Sequence, residues 1–362
     1  MSSISPDTQK QIDETRERGS QPASLADAIP PITRAPGSLP GRLIDTQRWA
    51  ESQKFLLLIL EKAEKDENLE DQRMACLSLG RIERDRNHLA QAMSLFQRGL
   101  ALAERLGKTC EMGEFYDQIG TVHRLQGNYG LAIDCHNKSL GIQIGQGNEQ
   151  AAAQVYGSLG SLHQQQGDLE WAIQAYKRAI ELNAQGRRDD CSGKYYAGLG
   201  SIYERQGHYP QAIGMLQKSQ EFSTRSEDRE TLAESCIQLG RIHDQLGSHT
   251  ESAQMYKRAL KLLRDMGQEQ RAAAVAFQLA HQLVKTGELE HAHTNYDWAL
   301  KFMQNSGDRH GAALAYFNLG RVHRQQNQIG AARAHYQKAL ALFKTLDDQA
   351  NLEMVQQELG SL

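Results

Sequence analysis

Proline almost disappears from this chain after its first forty residues. Six of the seven prolines, Pro6, Pro22, Pro30, Pro31, Pro36 and Pro40, lie in that opening stretch, and Pro210 stands alone in the rest. A proline inside a helix removes a backbone donor and clashes with the preceding turn, so its loss from about Leu43 onward leaves room for long helical tracts. The five cysteines, Cys76, Cys110, Cys135, Cys191 and Cys236, are odd in number and scattered, with no C-x-x-C pair. That spacing argues against a disulfide framework and against a zinc site, leaving reduced packing thiols. Long apolar runs are missing as well. None reaches the roughly 18 to 20 residues that span a bilayer, and MSSISPDTQKQIDETRERG has no signal-peptide core. A soluble, cytoplasmic protein without membrane insertion is the expectation.

Neither sign of charge is in excess. With 41 basic and 44 acidic side chains, bulk charge implies no nucleic-acid partner. Signatures of chemistry are absent too: no H-E-x-x-H, no P-loop, and no G-x-G-x-x-G after a strand. The reading is therefore of a protein that is not an enzyme, with no catalytic residue, no metal and no cofactor.

What the chain does contain is repetition. Gly80, Gly120, Gly160, Gly200, Gly240, Gly320 and Gly360 are spaced by 40 residues or its double, and Ala280 fills the gap. Seven residues after each comes a turn residue, Asn87, Gly127, Gly167, Gly207, Gly247, Gly287 and Asn327. Then follow a small residue (Ala92 to Ala332), a mostly large one (Phe96, His136, Tyr176, Leu216, Tyr256, Tyr296, Tyr336) and another small one (Gly99 to Ala339). An insertion-free period of this length means a solenoid. A glycine in a helix interior costs roughly 1 kcal/mol relative to alanine, so its recurrence predicts a close approach between helices that a larger residue would overpack.

The pattern closely resembles the tetratricopeptide repeat family. Tyr156, Leu159, Gly160, His163, Gly167, Ala172, Tyr176 and Ala179 follow the family's spacing, with His163 where tyrosine is common. Seven such units begin near residues 73, 113, 153, 193, 233, 273 and 313. The repeat is 40 residues rather than 34 and lacks the proline that often ends the second helix, similar to the long-helix subgroup of Pins-like and rapsyn-like scaffolds. The resemblance implies an all-α, right-handed α-solenoid of seven helix-turn-helix units. The expected organisation is a disordered Pro-rich tail over residues 1–41, an N-terminal capping helix over 42–66, the seven units over 67–349, and a C-terminal capping helix over 350–362.

In the resembling fold, the first helix of each unit lines a concave groove with residues three and six before the glycine and one and four after it. The position three before forms a continuous row of large apolar residues only in the last three units, at Ile237, Phe277 and Phe317, although Leu77 stands there in the first. An aromatic on an exposed face suits a binding anchor, and the alternative is packing on the adjoining repeat. The positions after the glycine place arginine toward both ends. The candidate site is therefore Arg241, Phe277, His281, Phe317, Arg321 and Arg324, with Arg81, Arg84 and Arg124 as a second patch. Arginines flanking an apolar row suit peptide carboxylates, although Glu114, Asp117, Glu204, Glu234 and Asp244 share the surface.

No unit has the lysine and asparagine pair with which related adaptors hold chaperone tails. His123, His163, His243 and His323 recur at one position and are expected to pack between helices. In the second helix a row of Arg98, Lys138, Arg178, Lys218, Arg258 and Lys338 reads as a solvated basic face, broken by Trp298. That tryptophan either fills a gap left by Ala276 and Ala280 or marks a contact for a second partner or a homo-oligomer. The leading function is a non-catalytic scaffold that binds a peptide segment of a protein partner in the groove. Alternatives are a peptide-sensing receptor of the Rap-like type and a self-assembling scaffold, and the tail itself is a possible groove occupant.

Overall fold

The computed structural model describes residues 39–186 and 192–362. The Pro-rich tail before Leu39 and Cys191 lie outside the described residues. Sixteen helices and no strand occur among the described residues. They are α1 (Leu39–Lys65), α2 (Leu69–Asp85), α3 (Leu89–Arg105), α4 (Thr109–Leu125), α5 (Tyr129–Gly145), α6 (Glu149–Gln166), α7 (Leu169–Gln185) and α8 (Ser192–Arg205). There follow α9 (Tyr209–Arg225), α10 (Arg229–Gln245), α11 (His249–Asp265), α12 (Glu269–Lys285), α13 (Leu289–Ser306), α14 (Arg309–Gln325), α15 (Ile329–Thr345) and α16 (Gln349–Gly360). The even-numbered helices α2 to α14 are the first helices of seven units, and the odd-numbered α3 to α15 are their second helices. At the ends, α1 packs on α2 and α16 on α15. Helix α1 begins three residues before the expected boundary at 42.

The punctuation has half the period of the sequence repeat. A residue with positive φ stands every 20 residues at Glu67, Asn87, Gly107, Gly127, Gly147 and Gly167, and again at each such position from Gly207 to Asp347. Position 187 is outside the described residues. Each reverses the chain from one helix into the next. Within unit three, the Asp168 N–H donates to the His163 carbonyl at 2.9 Å across Gly167 (φ 90°), the Schellman arrangement. Polar side chains then open several first helices: Asn148, Asp228 and Asp308 accept from the backbone N–H of Ala151, Thr231 and Gly311. Pro210 sits in the first turn of α9, where its missing donor is not needed.

The repeated helix glycine seats a ring. A Cβ at Gly160 would lie 2.8 Å from Tyr176, at Gly80 2.5 Å from Phe96, and at Gly320 2.5 Å from Tyr336. The close approach expected of the glycine is therefore to the large residue sixteen positions on, in the second helix of its own unit, and not to a neighbouring backbone. At Gly360, which faces no second helix among the described residues, a Cβ would meet nothing within 4 Å.

Helices stack into two layers. The first helices of several successive units approach one another directly, whereas second helices meet mainly the first helices before and after them. The tighter layer takes the inner side of the curve, so the first helices carry the inner surface.

Candidate functional site: the first-helix surface

The expected groove residues are tied into a ladder between units. Arg241 on α10 donates from Nε and an Nη to both carboxylate oxygens of Glu204 on α8, at 2.6 and 2.7 Å. This bidentate fork matches the planar geometries of guanidinium and carboxylate. One unit further, Lys285 on α12 lies 2.8 Å from Asp244 on α10. Where no charges are available the same link is neutral, with Gln164 donating to Ser201 at 3.1 Å. At the start, Arg81 pairs with Glu114, and Arg84 with Gln118 and with Asp85. At the end, Arg324 pairs with Glu358 on α16, and the Arg321 Nε lies 3.8 Å from the same carboxylate.

Most of the candidate arginines therefore already hold a partner. Arg124 has no hydrogen-bonding or ionic partner among the described residues. His281 is half-buried near Lys285 and Asp244. Burial, with the Lys285 charge, lowers its pKa below the ordinary imidazole value, and Asp244 offsets part of that. The neutral ring is thus favoured at pH 7.

The two phenylalanines differ from the exposed anchors expected at their positions. Phe317 is only 6% exposed, packs with Tyr336 at a ring separation of 5.8 Å, and joins the core between α14, α15 and α16. Phe277 is half-buried and sets its edge against Tyr296 at 5.1 Å. Both follow the packing alternative. Trp298 lies on the other layer, partly buried over the core that includes Ala276 and Ala280, with the Arg264 guanidinium 4.2 Å from its ring centre.

The structure thus gathers Arg241 with Glu204, Phe277 and His281 with the α12 and α13 core, and Phe317, Arg321 and Arg324 near Glu358. Arg124 and Trp298 stand apart. Sequence reading passed over Lys285 and Glu358 as ladder members. It also missed a group of three histidines, in which His323 lies 5.0 Å by ring centres from both His293 and His335. The ladder had a signal at two junctions, where residues 37 apart face one another: Glu204 with Arg241 and Gln164 with Ser201. The histidines occupy three different positions of the repeat, so no single column shows them. Among the described residues, no group of three or more His, Cys, Asp or Glu side chains is placed to hold a metal. No described helix is long and apolar enough to cross a membrane.

A two-layered, all-helical array of helix pairs, with a polar ladder along its inner layer, defines an α-solenoid of the helix-turn-helix type. The tetratricopeptide repeat family model matches residues 111–185, 192–265 and 271–345, and the chain belongs to that family. No curated protein matches the chain. Among solved structures it is similar to the apo form of the quorum sensor NprR from B. thuringiensis, with TM-score 0.56 and 13% identity over 84% of this chain and 85% of that one. It is similar also to the apo form of RapI (TM-score 0.55, 12% identity, 76% of this chain, 99% of that one). Pseudomonas aeruginosa PilF gives TM-score 0.53 and 18% identity over 69% of this chain and 99% of that one. At these identities the likeness shows the fold.

Proposed function

We propose that the protein is a non-catalytic interaction scaffold whose first-helix surface receives a peptide segment of a protein partner, with α1 and α16 capping the seven units. The observation that supports this most is the ladder itself. It fixes a row of half-exposed polar side chains along the inner layer while Arg124 keeps an unpaired guanidinium. An extended segment running along that layer meets carboxylates, amides and guanidinium groups held in place by the neighbouring unit, so little side-chain entropy is lost on binding. Peptide sensing is the second reading, in view of the quorum-sensor likeness, and requires a ligand-dependent change in the array. Residue-level assignment rests on Arg81, Arg84, Arg124, Arg241, His281, Arg321 and Arg324. The buried Phe317 serves as support beneath them.

The test is selection of peptides from a displayed random library on the full chain, followed by titration of the selected peptides against an Arg124→Glu, Arg241→Glu, Arg321→Glu variant of unchanged helicity. Loss of at least tenfold in affinity is expected. Selected peptides that bind both proteins equally would remove the inner surface as the site.

A further inference from the structure

The outer layer carries a cleft of about 490 Å³ between the second helices α11 and α13 of units five and six. Its floor is apolar, formed by Ala253 and Leu260 of α11 and by Leu279 and Leu283 of α12 beneath. One wall is Lys257, Lys261 and Arg264, at i, i+4 and i+7 on α11, all exposed. These spacings put the three cations on one face along about 10 Å of helix. The other wall is His291 and Asn295 of α13. Trp298, one turn further along α13, packs under the Arg264 guanidinium at 4.2 Å from its ring centre.

Two observations set this cleft apart from the rest of the molecule. The inner-surface arginines mostly hold carboxylates of the neighbouring unit, whereas Lys257, Lys261 and Arg264 have no ion-pair partner among the described residues. The concentration is also peculiar to one unit. The same three positions read Gln97, Ala101 and Glu104 in the first unit, Asn137, Gly141 and Ile144 in the second, and Asp297, Lys301 and Gln304 in the sixth. Asp265 and Glu288 stand at the rim, and Glu288 already accepts from Thr286 and lies 3.2 Å from His291.

We propose that this cleft is a second docking site, for an acidic amphipathic helix of a partner protein. Such a helix lies in the slot between α11 and α13 with a narrow apolar edge on Leu260, Leu279 and Leu283. Carboxylates spaced one turn apart face Lys257, Lys261 and Arg264. Three unpaired like charges around an apolar floor repel one another, and anionic side chains relieve that repulsion while the floor excludes water. The site lies on the layer opposite the surface discussed above and stands whether or not that surface binds anything.

The probe is an 18-residue fluorescein-labelled helix with leucine on one edge and glutamate flanking it, beside the same peptide with glutamine for glutamate. Fluorescence anisotropy on the full chain is expected to show saturable binding of the glutamate peptide. A Lys257→Glu, Lys261→Glu variant of unchanged helicity should weaken it at least tenfold, and Arg241→Ala should leave it unaltered. The glutamine peptide should bind at least tenfold more weakly, and hydrogen exchange should slow in α11 and α13. No saturable binding, equal binding by the charge-reversal variant, or protection confined to the first helices would overturn the site.

Discussion

Units three and six share one backbone plan and solve its packing differently. In unit three the helix glycine is Gly160, the first helix brings Tyr156, and the second helix carries Arg178 outside it. In unit six the same places hold Ala280, Ala276 and Trp298. Where the first-helix residue is tyrosine, the basic side chain often lies over its ring, as Lys138 does over Tyr116, Lys218 over Tyr196 and Lys338 over Tyr316, at 5.2 to 5.5 Å. The basic row is thus partly a set of cation–π covers and not simply a solvated face. Where the tyrosine shrinks to Ala276, the cover becomes Trp298, which packs on the core. The large ring moves from the first helix to the second, and apolar packing replaces the cation–π cover.

The largest expected effect breaks unit three at its tightest point. Gly160→Leu puts a branched side chain where even a Cβ would lie 2.8 Å from Tyr176, so overpacking should cost about 3 kcal/mol. Thermal unfolding should show a drop of several degrees, while Gly360→Leu, facing open space, should leave the midpoint within a degree. Equal behaviour of the two variants would refute the ring-seating role of the glycine.

The second prediction exchanges the pair chemistry of the two units. Trp298→Ala should destabilise by about 2 kcal/mol, since it opens a cavity over Ala276 that the surroundings fill only in part. Arg178→Ala, on the exposed row of unit three, should stay within about 0.5 kcal/mol. The double variant Ala276→Tyr, Trp298→Lys recreates the pairing of Tyr196 with Lys218 and should recover part of the loss. A double variant less stable than Trp298→Ala, measured by denaturant unfolding, would show that the two places do not trade volume.

These contrasts also mark what could be read before the structure. The 40-residue columns gave the helices and turns because glycine, alanine and large residues each stay in register within a unit. The gap-filling reading of Trp298 was available because Ala276 is in the same unit. Contacts between units were harder, since they join different columns with an offset. Arg241 reaches back to Glu204, and Phe317 looked exposed until α15 and α16 supplied Tyr336 and the rest of its core. A position on a helix face does not say how far the next helix covers it.

The sharpest contrast of this inter-unit kind lies in the junctions that follow the two units. After unit three, the places are filled by Ile173, Tyr203 and Met215, all against one apolar cluster. After unit six, the same places hold His293, His323 and His335. His335 is half-buried, and its Nδ1 has no hydrogen-bond partner. Burial, then the neighbouring His323, Lys338 and His293, push its pKa down to about 4, against a partial pull upward by Asp297. Tyr316 also faces the ring, at 5.8 Å. Because the unfolded histidine titrates near 6.5, the unfolded chain binds more protons between about pH 6.5 and 4, so stability contributed here is present above that window and is lost as pH falls through it. The melting temperature should therefore decline from pH 7 to pH 5, with hydrogen exchange rising first in α13 to α15. His335→Met, which copies Met215, should be the smallest perturbation at pH 7.5 and should gain on the wild type as pH falls. A wild-type minus variant difference that stays flat from pH 7.5 to 5 would mean that the histidine junction is as insensitive to protons as the apolar one.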